Sequence, residues 1–156
     1  MKRALMILFL PFALAACGTV PGYGTGSPAP TQSAGATLSV RSSSLGQIMV
    51  DGNGKTLYLF EADKATQSTC SGACAQAWPP FTTAGSPRVS AGASQSLVGT
   101  TRRSDGTTQV TYAGHPLYFF INDTKPGDTT GEGSTAFGAG WDVLAPNGDK
   151  IEKPGA

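Results

Sequence analysis

Seven residues, Leu57 to Asp63 (LYLFEAD), return sixty positions later as Leu117 to Asp123 (LYFFIND). Extending the match to Val50–Asp63 on Val110–Asp123 needs no gap and gives six identities in fourteen positions: Val, Gly, Leu, Tyr, Phe and Asp. Chance would give about one at ordinary residue frequencies. The spacing Y-x-F-x-x-D is therefore a unit used twice, and a fold for this chain has to accommodate two copies.

Each copy reads as the second strand of a hairpin. Val50 leads through Asp51-Gly52-Asn53-Gly54 into Thr56–Phe60, and Val110-Thr111-Tyr112 leads through Ala113-Gly114 into Leu117–Ile121. Glycine turns between β-branched and aromatic residues carry that signature. Alternate strand residues face opposite sides, so Tyr58 and Phe60 share one face and Leu57 and Leu59 the other. Neither face is polar, which calls for a central strand covered on both sides. The same holds for Tyr118 and Phe120. Asp63 and Asp123 close the apolar runs, where an aspartate accepts backbone hydrogen bonds in a turn; a cation ligand or functional acid is the rival reading. The gapless match predicts equivalent strands related by an approximate two-fold.

The chain begins Met1-Lys2-Arg3, then runs through thirteen apolar residues to Ala16 and Cys17. That run is short of the roughly 20 residues a spanning helix needs and reads as a secretion signal. Leu14-Ala15-Ala16-Cys17 resembles the bacterial lipoprotein lipobox, which implies cleavage after residue 16 and acylation of Cys17; cleavage near Ala16 with a free Cys17 is the alternative. By resemblance, Gly18 after the cysteine favours the outer membrane of a Gram-negative cell. Residues 17–38 then read as the lipidated cysteine and a flexible Gly/Pro/Ser tether reaching roughly 25 Å. Residues 39–153 read as one domain, with a first half of about 46–82 and a second of about 96–153.

Within that domain turn signals recur at short intervals, strand candidates fall at 47–51, 56–62, 96–103, 108–113, 117–121, 141–146 and 149–153, and only about 71–78 looks helical. The expectation is an all-β fold, sandwich- or barrel-like. Residues 82–96, rich in Ala, Gly and Ser, read as a loop between the halves. A tryptophan follows each motif, Trp78 fifteen residues after Asp63 and Trp141 eighteen after Asp123; both read as core aromatics.

Without residues 1–16 the chain carries nine basic against ten acidic side chains. Neither a basic block nor interleaved aromatics point to nucleic acid. The remaining cysteines, Cys70 and Cys74, stand in CSGACAQAWPP, and in an oxidising compartment their expected state is a disulfide. A ring that small is worth only about 2 kcal/mol, so it pins a local turn. A redox pair is the rival reading, although the spacing is one longer than C-x-x-C. His115 is the only histidine, at a hairpin turn where the first copy has Lys55. One histidine and no G-x-S-x-G elbow leave no triad to assemble. No metal or other cofactor is assigned; the nearest candidates for a hard cation are Asn122, Asp123, Asp128 and Glu132 in NDTKPGDTTGEG.

The repeated Y-x-F-x-x-D, the CSGACAQAWPP stretch and TYAGHPLYFFINDTKPGDTTGEG together resemble the bacterial secreted-repeat lipoproteins named for a Y-x-(F/W/Y)-x-x-D motif, over about Gly46 to Pro146. The resemblance implies envelope location and repeat architecture and supplies no activity. The expectation is a lipid-anchored envelope domain that binds or supports without catalysis, with the membrane as one partner and an envelope protein or small ligand as another. Its rivals are an extracytoplasmic redox protein using Cys70 and Cys74 or the aromatic repeats, and a hydrolase pairing Asp63 with Asp123.

Overall fold

The computed structural model describes residues 35–90 and 92–152; the signal segment, Cys17 and the tether through residue 34 lie outside them. Alternating Leu38 and Val40 start a hairpin, β1 (Thr37–Ser43) with β2 (Gly46–Asp51), in register from Leu38↔Asp51 to Ser43↔Gly46. The second half repeats the hairpin as β5 (Val98–Arg102) with β6 (Thr108–Tyr112), from Val98↔Tyr112 to Arg102↔Thr108. Between them run β3 (Tyr58–Phe60), the five-residue helix α1 (Ala73–Ala77) and β4 (Arg88–Val89), which adds to β1 in parallel. After β6 come β7 (His115–Pro116), paired with β6, and β8 (Trp141–Val143), paired with β3. Three small sheets result, β2-β1-β4, β3-β8 and β5-β6-β7. Among the described residues the fold is all-β with one short α-helix inside residues 71–78, and the strands do not close into a barrel.

The halves are exchanged. Each motif strand pairs with the tryptophan segment of the other half: Leu59 lies opposite Asp142 in β8, and the Phe119 amide donates to Pro79 O at 2.8 Å. The contacts match one for one. Glu61 N–H reaches Gly140 O (2.9 Å) and Ile121 N–H reaches Ala77 O (3.1 Å); Leu144 N–H reaches Leu57 O (3.3 Å) and Phe81 N–H reaches Leu117 O (2.8 Å). On the axis itself Tyr58 and Tyr118 exchange backbone hydrogen bonds of 2.9 and 3.0 Å. The approximate two-fold therefore passes between the two tyrosines.

Four expectations need correction. The gapless alignment fails by one residue ahead of the turn. Asp51 N–H bonds to Lys55 O, four residues on, whereas Tyr112 faces His115 only three on. Met49 and Val110 are thus the equivalent pair, each accepting from the motif leucine at 3.0 Å. The Val50–Val110 identity is a coincidence of sequence. Second, neither residues 117–121 nor 149–152 form a continuous strand; Tyr118 makes isolated bridges to Tyr58 and Pro80, and Lys150 one to Leu144. Third, the fold starts before Ser39, because Leu38 is fully buried in β1 and Ala36 O accepts from Arg88. Fourth, the stretch 82–96 contains β4, which covers the outer edge of β1. A strand whose unpaired edge would otherwise face solvent is protected in this way.

Two apolar layers cover the motif strands, one on each face. Tyr58, Phe60, Tyr118, Trp78 and Trp141 join Ile48, Val50 and the two cysteines on one side; Leu57, Leu59 and Leu117 join Met49, Val110, Tyr112, Phe81 and Leu144 on the other. The period-two pattern read from LYLF survives intact. Phe60 is 4% exposed while Phe120 is only partly buried. Phe60→Ala should therefore cost about 3–5 kcal/mol and Phe120→Ala distinctly less, a ranking that denaturant midpoints at unchanged m value will check.

Candidate functional site

The motif's polar atoms meet across the two-fold. Tyr58 hydroxyl donates to Asp123 Oδ2 at 2.6 Å, and Tyr118 hydroxyl donates to Asp63 Oδ2 at 2.7 Å. The second oxygen of each aspartate caps the loop that follows. Asp63 Oδ1 accepts from the Thr69 amide and hydroxyl (2.7 and 3.0 Å), and Asp123 Oδ1 from those of Thr130 (3.0 and 2.6 Å). The turn-capping role expected of both aspartates is present, but the tyrosine partners, 65 and 55 residues away, have no local sequence signal. Tyr58 and Tyr118 are fully buried. Burial first, and the facing carboxylate second, hold both hydroxyls well above the ordinary phenol range.

Beneath these bonds lies a stack of four rings in the order Phe60, Trp141, Trp78, Phe120. Successive centroids are 4.1, 4.0 and 4.3 Å apart, with interplanar angles of 12°, 6° and 28°. Tyr58 and Tyr118 meet Trp78 and Trp141 edge-on at 5.3 and 5.2 Å, the geometry that ring quadrupoles favour. Gly131 closes the stack. A Cβ there would lie 2.6 Å from Trp78 and 3.0 Å from Phe120.

Cys70 and Cys74 are joined in a disulfide, 2% and 8% exposed respectively. Arg103, 7% exposed, ties this loop to the second half: its guanidinium donates to Cys70 O, Ser68 Oγ and Gln109 Oε1, each at 2.7 Å. Gln109 in turn donates to Leu117 O, and Ser68 Oγ lies 2.7 Å from the Tyr118 hydroxyl. Nothing in the sequence around Arg103 marks it as a buried hub.

The four cation candidates do not converge. Asp123 is spent on Tyr58 and Thr130, Asp128 Oδ2 caps the Thr124 and Lys125 amides, Glu132 Oε2 accepts from the Val143 amide, and Asn122 is exposed. The three carboxylates are held by different partners, Tyr58 and Thr130, the Thr124–Lys125 turn, and β8, and among the described residues no three His, Cys, Asp or Glu side chains form a metal-holding group.

The two-fold breaks outside the motif. In one half the turn after Asp123 docks on the first hairpin: Gly127 N–H donates to Gly54 O (2.9 Å), Thr56 Oγ1 to Asp128 O (2.6 Å), and the Lys55 ammonium sits 5.4 Å from the Phe119 centroid. In the other half Pro116, without a hydroxyl, replaces Thr56, and the half-exposed His115 replaces Lys55. A cleft of about 570 Å³ opens there, lined by Leu59, Phe60, Asp63, His115 and Lys150 among others. Asp63 is half-buried on this cleft, whereas Asp123 is 2% exposed and lines no part of it. The acids of the two motifs thus do not share an opening.

Hydrogen bonds to charged groups are worth about 1.5–3 kcal/mol, so Tyr58→Phe should lose about that much and leave Asp123 Oδ2 without its donor. Because both phenol values are raised on folding, their contribution to stability is fully present below the unfolded value of about 10 and is lost as pH climbs beyond it. Thermal melts should fall above about pH 10, and Tyr58→Phe with Tyr118→Phe should flatten that alkaline limb.

The comparisons with known proteins agree with the geometry of two exchanged units. A family model described as a secreted repeat of unknown function matches the chain twice, over residues 39–82 and 99–145. No significant match is found among curated proteins or solved structures. The two matched segments are the two halves related by the axis between Tyr58 and Tyr118, and the chain belongs to this family of secreted repeats of unknown function.

Proposed function

We propose that the protein is a non-catalytic module of the bacterial cell envelope, held to a membrane by acylation of Cys17, whose repeat motif builds the scaffold and whose outer clefts do the binding. The observation that carries this reading is the full engagement of Asp63 and Asp123: each accepts one tyrosine hydroxyl and two donors from its own loop. A hydrolytic acid pair needs two carboxylates facing one substrate, and these face opposite loops. The redox alternative is disfavoured by burial, since thiol exchange needs an accessible sulfur and Cys70 is 2% exposed. The sequence beginning Met1-Lys2-Arg3, the apolar run and Leu14-Ala15-Ala16-Cys17 support the anchor, with Gly18 favouring the outer membrane.

Cys17→Ser should release the protein from membrane pellets or leave it as an unprocessed precursor; unchanged mass and fractionation would count against the anchor. For the scaffold role, Asp63→Asn and Asp123→Asn should lower stability with no loss of any turnover. A hydrolytic activity abolished by either at full stability would replace this proposal with an enzyme.

A further inference from the structure

Of the chain's ten acidic side chains, six gather in two adjoining clefts. The larger is lined by Glu61, Asp63 and Asp149, and a neighbour of about 280 Å³ by Glu61, Glu132, Asp142 and Glu152; Glu61 and Lys150 belong to both. Lys150 is the one lysine or arginine lining either, with His115 the other basic side chain in the larger. Carboxylates therefore outnumber basic groups there, although Asp63 and Glu132 already accept hydrogen bonds from Tyr118 and Val143. Arg41, Arg88, Arg102 and Arg103 line neither cleft. In a chain close to neutral, this is a strongly one-sided face.

Charge alone would make this a solvated rim, but Asp142 is not solvated. It is 8% exposed, lines the smaller cleft, and its Oδ2 is buried and accepts no hydrogen bond from the described residues. An acceptor of that kind is a cost to the folded state, of the sort retained where a ligand supplies the missing donor. Burial, and next the facing Glu61, push the Asp142 carboxyl above the ordinary carboxylate range against the opposing pull of Lys150; a bound cation would offset both. Lys150 displays the chemistry the groove accepts. Its ammonium sits between Glu61 (2.8 Å) and Glu152 (3.1 Å). Leu59, Phe60 and Ala65 supply an apolar floor in the larger cleft for the methylenes between charges.

We propose that the paired clefts around Lys150 form a binding site for organic cations carrying two or more ammonium or guanidinium groups, with Asp142 and Glu61 as the central acceptors. A metal ion is the poorer fit. The carboxylates are divided between two clefts, and among the described residues no three of them form a metal-holding group. An ammonium chain, by contrast, can reach them one after another. This deepens the binding-module reading and rests on it, though not on the lipid at Cys17.

The test is a calorimetric titration of the detergent-solubilised full chain with spermidine, with an oligolysine peptide and with calcium. Saturable spermidine binding tighter than about 1 mM, weakening as salt rises, is expected. Asp142→Asn and Glu61→Gln should each weaken it by about tenfold or more. Because Asp142 is desolvated and repelled, Asp142→Asn should melt no lower than the parent, which separates a binding role from a structural one. Lys150→Met frees two carboxylates and should tighten spermidine; Asp105→Asn, which lines neither cleft, should change nothing. Preference between spermidine and oligolysine tells a free polyamine from a basic side chain. Absence of saturable amine binding, binding indifferent to these substitutions, or calcium binding that outcompetes the amine would each overturn the proposal. Turnover of a bound amine would instead leave the site standing and overturn the non-catalytic reading.

Discussion

Everything else in this molecule is arranged around two hydrogen bonds that each half of the chain cannot make alone. A tyrosine hydroxyl buried beside an indole needs an acceptor, and a carboxylate at a buried turn needs donors. Each half owns one of each, but geometry sends the hydroxyl to the other half's carboxylate. The exchange places Tyr58 and Tyr118 back to back on the axis, which sets the register of the paired backbones. Trp78 and Trp141 then fall on top of one another, with Phe60 and Phe120 outside them. Polar satisfaction and ring stacking demand the same register, and agreement of that kind between levels makes a fold unique.

The same arrangement explains why the most recognisable residues are poor candidates for chemistry. They are buried or half-buried, the two aspartates have both oxygens engaged, and the copies are related by an approximate two-fold, so neither stands out as a reaction centre. Difference enters at the periphery. Threonine against proline at positions 56 and 116, and lysine against histidine at 55 and 115, close one flank and leave the other open beside Asp63. A duplicated scaffold can diversify in this way, since exposed loops change at little cost while the axis is held fixed.

Much of the architecture was legible. The alternation in LYLF told which side chains share a face, and the turn glycines told where the chain reverses: Gly54 and Gly114 do occupy the left-handed region, at φ 83° and 87°. Composition and cysteine spacing told of a small disulfide ring. What escaped depends on contacts distant in sequence. That Tyr58 finds Asp123 rather than Asp63, or that Trp141 lies over Phe60, is decided by three-dimensional exchange of segments. Val50 and Val110 misled because an identity inside a hairpin carries no information about turn length. Leu38 looked like the end of a tether because its neighbours are small and uncharged, and only its pairing with Asp51 makes it core. Arg103 and Asp142 were invisible for a related reason: an isolated charge in a sequence does not announce whether water or protein surrounds it.

The exchange between halves also imposes a parity. A lone copy of this unit would carry one tyrosine hydroxyl without its carboxylate and one carboxylate without its hydroxyl, with half of a ring stack laid open to water. It could be satisfied by a second polypeptide bearing the same unit, and the present chain is then the covalent form of such a dimer, with the segment between the halves raising the local concentration of each for the other. A third copy added in tandem would find no mate within the chain. Architectures built from this repeat should therefore grow by pairs, and any odd member should be found across an interface with another molecule.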